Sequence, residues 1–136
     1  MSAGMLTLQL VAALETGRSA RNGRGFSLLR IAPVGWAALD DDLDALAGLV
    51  SAHLRRTDLV QRIREREVGV VLIESAGEQV LAPIARIREA AKEHLPRMEF
   101  RIGYASVGPG QKRTWQEAWR WAGQLLVADA AAPAAA

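Results

Sequence analysis

Apolar residues recur every three or four positions along several stretches of this chain, and between them lie short runs that are almost wholly apolar. Leu6, Leu10 and Leu14, with Val11 beside them, place an apolar face on a helix over residues 6–15, and this leucine-rich helix is expected either to turn that face to the core or to offer it as a partner surface. Residues 17–25 read as a basic, glycine-containing loop, and residues 26–31 (FSLLRI) as a first strand stopped by Pro33 and Gly35. A helix is expected from Asp40, where Asp40, Asp41 and Asp42 suit the positive end of the helix dipole. Leu43, Leu46, Ala47, Val50 and Leu54 carry its buried face as far as Arg56. Two strands joined through Arg64-Glu65-Arg66-Glu67 come next, and the second, residues 68–73, is apolar enough to be buried on both faces. Residues 78–94 read as a helix with Pro83 near its start, 100–107 as a strand and 114–128 as a last helix.

Helices interleaved with strands and one hairpin predict a single α/β (α+β) domain over residues 1–129, with helices packed on a sheet of about four or five mostly antiparallel strands. Residues 130–136, alanine apart from one proline, are expected to be a disordered tail. The length of 136 residues fits one core. A formal charge of +2 is too small to argue for nucleic acid, and no apolar run is long enough to span a bilayer. With neither signal peptide nor cysteine, the default expectation is a cytoplasmic protein without disulfides. His53 and His94 are isolated, so no metal site is expected. All but Lys92 and Lys112 of the 17 basic residues are arginine. That bias fits either bidentate recognition of phosphate and guanine edges or a genome that favours arginine codons.

The order of charges in residues 54–75, LRRTDLVQRIREREVGVVLIES, resembles the segment around the signature turn of GGDEF domains, the catalytic domains of diguanylate cyclases. The likeness extends over roughly residues 5–129: residues 26–31 resemble the family's first strand, and Ile102-Gly103-Tyr104-Ala105 its late strand. Ala122 and Leu126 match positions of its last helix. The resemblance implies the GGDEF palm, a mostly antiparallel sheet covered on both sides. It also implies a lost active centre. The family's metal-binding carboxylates fall at Ala32 and Arg66, leaving Glu67 as a vestige, and a guanidinium opposes a dication. Arg64 and Glu65 replace the glycines that admit a triphosphate, the guanine-reading Asn and Asp are missing from a shortened connection, and Asp129 stands in place of a phosphate-binding Lys. No cyclase activity and no cofactor are expected.

Arg55-Arg56-Thr57-Asp58 resembles the family's RxxD inhibitory-site motif, which binds cyclic di-GMP, and Arg86 falls where a further arginine completes that site. Arginine donates to guanine O6 and N7 while stacking on a base, and aspartate accepts from N1–H and N2–H₂. The resemblance therefore implies a catalytically inactive cyclic di-GMP receptor that binds through Arg55, Asp58 and Arg86. The plainer reading is a helix end with cations at the negative pole followed by a turn. The Arg64–Glu67 run is likewise either a solvated turn or a partner-binding loop. Trp115 and Trp119 share one face of the last helix while Trp121 lies on another, so either the domain buries most of this helix and leaves one tryptophan partly exposed, or one face is a surface for a protein partner or a second copy. The alternative function is thus a ligand-free interaction or dimerisation module in cyclic di-GMP-linked control of exopolysaccharide, biofilm or motility.

Overall fold

Period-two alternation in the strand Phe26–Pro33 (β1) sets the architecture, because Leu28 and Leu29 enter different cores on opposite faces of one sheet. The computed structural model describes residues 3–34, 40–64, 66–109 and 113–131, without the side chains of 64 and 127–131. The elements follow in the order α1 (Ala3–Asn22), β1, α2 (Asp40–Ala52), β2 (Leu59–Arg64), β3 (Glu67–Leu72), a 3₁₀ turn (Gly77–Val80), α3 (Leu81–His94), β4 (Phe100–Val107) and α4 (Trp115–Ala131). The sheet has four strands in the order β2-β3-β1-β4, and every neighbouring pair is antiparallel. Helices α2 and α3 cover one face over Leu29, Ile31, Leu46, Val50, Val70 and Ile87. On the other face α1 and α4 close over Leu8, Phe26, Leu28, Ile63, Val71 and Trp119. β3, next to the centre, is buried on both faces from Val68 onward.

Several local devices fix these elements. Arg62 of β2 donates to Asp44 at 2.9 Å and Asp40 at 3.0 Å, tying the acidic first turn of α2 to the sheet edge. Thr114 and Glu117 form a reciprocal cap at the start of α4, where the Glu117 N–H donates to Thr114 Oγ1 and the Thr114 N–H to Glu117 Oε1, each at 3.1 Å. The Thr114 N–H, together with the Thr114 hydroxyl donating to the same Oε1 at 3.1 Å, holds the Glu117 carboxyl below its usual range.

Helix α1 departs most from expectation. It runs on through Asn22 across the segment read as a loop, and it turns the other way round. Gly4, Leu8, Ala12, Glu15 and Ser19 meet the sheet, while Leu6, Leu10 and Leu14 are exposed. The reason is close approach: a Cβ on Gly4 would lie 1.9 Å from the Arg62 carbonyl oxygen, so small residues let the helix settle directly on β2. Helix α2 also ends at Ala52, before Arg55 and Arg56. α4 reaches Ala131, into the predicted tail; residues 132–136, like Glu65, lie outside the described residues, as does the side chain of Asp129.

Candidate functional site

Two regions bear on function, one at the hairpin end of the sheet and one beyond the C-terminal end of α2. At the first, Ala32 is half-buried near the end of β1, paired across the sheet with Arg101, and Pro33 is paired with Phe100. Glu67, the acidic residue left beside the hairpin turn, is held by a bidentate ion pair. Arg30 Nε lies 2.7 Å from its Oε1 and Arg30 Nη2 lies 3.0 Å from its Oε2, with both side chains 12% exposed. The guanidinium also packs 4.5 Å from the centre of the Trp119 ring and donates to the Trp119 carbonyl at 3.2 Å. Arg30 thus joins β1, β3 and α4 around one charge. Among the described residues, no group of three or more His, Cys, Asp or Glu side chains is arranged to hold a metal.

The second region gathers the RxxD residues. After α2 ends, the Asp58 N–H bonds back to the Arg55 carbonyl at 3.0 Å, closing a turn that swings Asp58 inward. Its side chain is 3% exposed, and its two oxygens accept backbone N–H groups from Ile73 at 2.9 Å and Arg55 at 3.1 Å. Arg55 Nη2 donates to the Ile73 carbonyl and to Ser75 Oγ at 3.1 Å, and its Nε lies 3.5 Å from Asp58. Glu74, between those two acceptors, has a φ of +53°, a left-handed conformation that costs a non-glycine residue about 1 kcal/mol or more. Arg86 Nε makes a long 3.5 Å bond to the His53 carbonyl, two residues before Arg55. Arg86, His53, Lys92, Glu89, Glu93 and Ala90 line an open cavity of about 510 Å³, within the range of small-molecule sites.

Arg86 thus attaches just after the end of α2 and Arg55 at the end of β3, and each keeps exposed surface. Asp58 differs from the expectation of a free guanine acceptor, because its carboxylate is 3% exposed and already accepts two backbone N–H groups. Sequence reasoning missed His53, Lys92 and Ser75. Helical spacing from Arg86 through Glu89, Ala90 and Glu93 was the available signal for the cavity wall; nothing in the sequence signals Ser75. It missed Arg30 as well. Of the two readings of the tryptophan helix, the structure shows the buried one: Trp119 is 7% exposed within the core, Trp115 packs against that core, and Trp121 alone of the three stays exposed, with Arg113 5.8 Å from its ring centre, so Trp115 and Trp119 do not form a partner surface.

Comparison with solved structures places this architecture among the GGDEF domains of diguanylate cyclases. The diguanylate cyclase SiaD of Pseudomonas aeruginosa, solved with its activator SiaC, superposes with a TM-score of 0.77 at 16% identity over 93% of this chain. The chain spans about half of that protein, 54% of its length. A DGC protein from Thermotoga maritima gives a TM-score of 0.77 at 16% identity, covering 90% of this chain and 93% of the other. The GGDEF domain of DgcB from Caulobacter crescentus, solved in complex with c-di-GMP, gives 0.70 at 13% identity, covering 93% and 84%. No protein-family model and no curated protein matches the chain. The four-stranded antiparallel sheet with its four helices is the GGDEF palm. Among the described residues, no helix is long and apolar enough to cross a membrane.

Proposed function

We propose that this chain is a catalytically inactive GGDEF-like signalling domain that binds cyclic di-GMP beside the end of α2. The observation that carries the reading is that Arg86 reaches the His53 carbonyl on the wall of an open cavity of about 510 Å³, while Arg55, two residues after His53, stays exposed with its guanidinium anchored on Ile73 and Ser75. Two guanidinium groups there suit a ligand with two phosphates and guanine edges. Asp58 sets the position of Arg55 in the unliganded arrangement, and reading a guanine edge requires its covered carboxylate to become accessible, since its oxygens keep lone pairs beyond the two backbone bonds. The DgcB domain, solved with c-di-GMP, lends the ligand its plausibility. Inactivity follows from Ala32 and Arg66 at the metal positions of the resemblance and from Glu67 being gripped by Arg30.

Calorimetry with cyclic di-GMP is expected to show binding that Arg55→Ala and Arg86→Ala each weaken by tenfold or more. Absence of heat at about 100 μM ligand places any affinity weaker than about −5.5 kcal/mol and removes the receptor reading. Incubation with GTP and Mg²⁺ is expected to yield no cyclic di-GMP. Asp58→Ala acts differently, because it leaves the N–H groups of Ile73 and Arg55 without acceptors. It is expected to lower folding stability by about 2 kcal/mol, measured by urea unfolding, whether or not ligand binds.

The self-satisfied state of Asp58 favours a second reading, a ligand-free interaction module on the same palm. No binding by the parent chain selects it, whereas retained binding by both arginine variants moves the ligand to another site.

A further inference from the structure

We propose that the cavity between the last turn of α1 and the end of β4 is a site for a small phosphate-bearing anion, held by the Arg113 guanidinium and the Ser19 hydroxyl. Ser19 and Ala20 of α1, Val107 at the end of β4, Gly108 and Pro109 beyond it and Arg113 ahead of α4 line about 300 Å³, at the low end of ligand sites. Ser19 is 4% exposed, and among the described residues its Oγ is the buried side-chain polar atom that finds no hydrogen-bond partner. Such a hydroxyl has given up water without return and calls for a reason. The fold does supply partners to similar groups nearby. Ser27 Oγ lies 2.7 Å from the Ser75 carbonyl oxygen and 2.9 Å from Ser106 Oγ, which accepts the Gly77 N–H at 2.9 Å. Within α1, Thr7 and Thr16 donate to the carbonyls of Ala3 and Ala12 one turn back, and Ser19 makes no equivalent bond.

The surroundings select an anion. Arg113 is the charged side chain on the cavity wall, and no carboxylate lines it among the described residues. Its guanidinium rests 5.8 Å from the Trp121 ring centre, a contact that steadies it and uses none of its N–H donors. Glu117, in the first turn of α4, is committed to Thr114. Gly108 has a φ of +135°, which favours glycine, and a Cβ there would stand 2.7 Å from Ser19 Oγ. The hydroxyl therefore meets bare backbone at that point. A phosphate monoester has three terminal oxygens: two suit the planar guanidinium fork and the third accepts the hydroxyl, whereas a carboxylate has only two. Ala20, Val107 and Pro109 offer an apolar wall to its carbon body. The cavity is built from α1, β4 and the approach to α4, across the sheet from α2 and α3, so it stands or falls independently of the nucleotide site.

Thermal unfolding in inorganic phosphate, phenyl phosphate, acetate and chloride at equal ionic strength tests the site. Phosphate is expected to raise the midpoint saturably, with half-saturation near about 1 mM. Ser19→Ala and Arg113→Gln are each expected to weaken that response at least about tenfold. In chloride, Ser19→Ala is expected to match or exceed the parent midpoint, because it removes an unpaired donor. Tighter binding of phenyl phosphate than of phosphate identifies an organic monoester as the ligand, and looser binding identifies the free ion. A rise shared by the parent and both variants is the general stabilising action of phosphate on folded proteins and overturns the proposal. So does an equal response to acetate, or the absence of a saturable rise, in which case the hydroxyl holds only water. A lowered chloride midpoint for Ser19→Ala also overturns it, since the hydroxyl would then already have a structural partner.

Discussion

Gly103→Ala is expected to cost about 3 kcal/mol or more of folding stability, among the largest losses from adding one methyl group to this domain. Gly103 lies on β4 beneath α4. A Cβ there would stand 1.9 Å from the Ala122 carbonyl oxygen, 2.9 Å from the Ala122 carbonyl carbon and 3.1 Å from the Leu126 nitrogen. All three atoms are helix backbone, so no side-chain rotation relieves the contact and α4 must lift from the sheet. Lifting it unseats Ala118, Trp119 and Ala122, which are at most 7% exposed. Urea unfolding is expected to show a lower midpoint with little change in slope, and the near-ultraviolet signal of the tryptophans should change with it. Gly48→Ala makes the same chemical change with the opposite sign. Gly48 is exposed within α2 and a Cβ there meets nothing within 4 Å, so the substitution is expected to gain about 0.5–1 kcal/mol. Equal effects at the two positions contradict this account of how α4 is seated.

Where helices touch through small residues, hydropathy alone reads the wrong face. The strand Phe100–Val107 was legible to the residue, because a dense apolar run between breakers has few other uses. The hairpin was legible for the same reason, within a residue at Glu67. In α1 the leucines at four-residue spacing carried the hydrophobic signal, yet Gly4, Ala12 and Ser19 occupy the contact. A pattern scored by side-chain hydrophobicity does not register backbone proximity, which glycine and alanine permit because they are small. The helix also passes through Gly17, since one glycine weakens a helix by only about 1 kcal/mol against alanine. At the candidate site the residue types were legible and their orientation was not. Asp58 sits in the expected motif, but the turn after α2 aims its carboxylate at Ile73, a residue fifteen positions away. Such a long-range bond depends on the sheet being assembled, and no local spacing encodes it.

Glu67→Ala and Arg30→Ala are each expected to destabilise the domain by about 3 kcal/mol, because either change breaks a bidentate ion pair whose side chains are both 12% exposed. The two losses should differ in kind. Without Glu67 the guanidinium keeps the Trp119 ring and the Trp119 carbonyl, whereas without Arg30 the link from β1 to α4 also goes. Arg30→Ala is therefore the more damaging substitution for the packing of α4, and its tryptophan fluorescence should shift further. A double change to apolar residues of similar length, Arg30→Met with Glu67→Leu, is expected to recover most of the loss, since a buried ion pair is often no more stabilising than a packed apolar pair. Non-additivity in this cycle is the signature of direct coupling. The same residues test the proposed loss of metal chemistry without any activity assay. If Glu67 is spent on Arg30, millimolar Mg²⁺ leaves the melting temperature of the parent chain unchanged, because a ligand raises it only by binding the folded state. A rise in melting temperature with Mg²⁺ that vanishes in Glu67→Ala would mean that the carboxylate leaves Arg30 for a cation, and would return this end of the sheet to catalytic use.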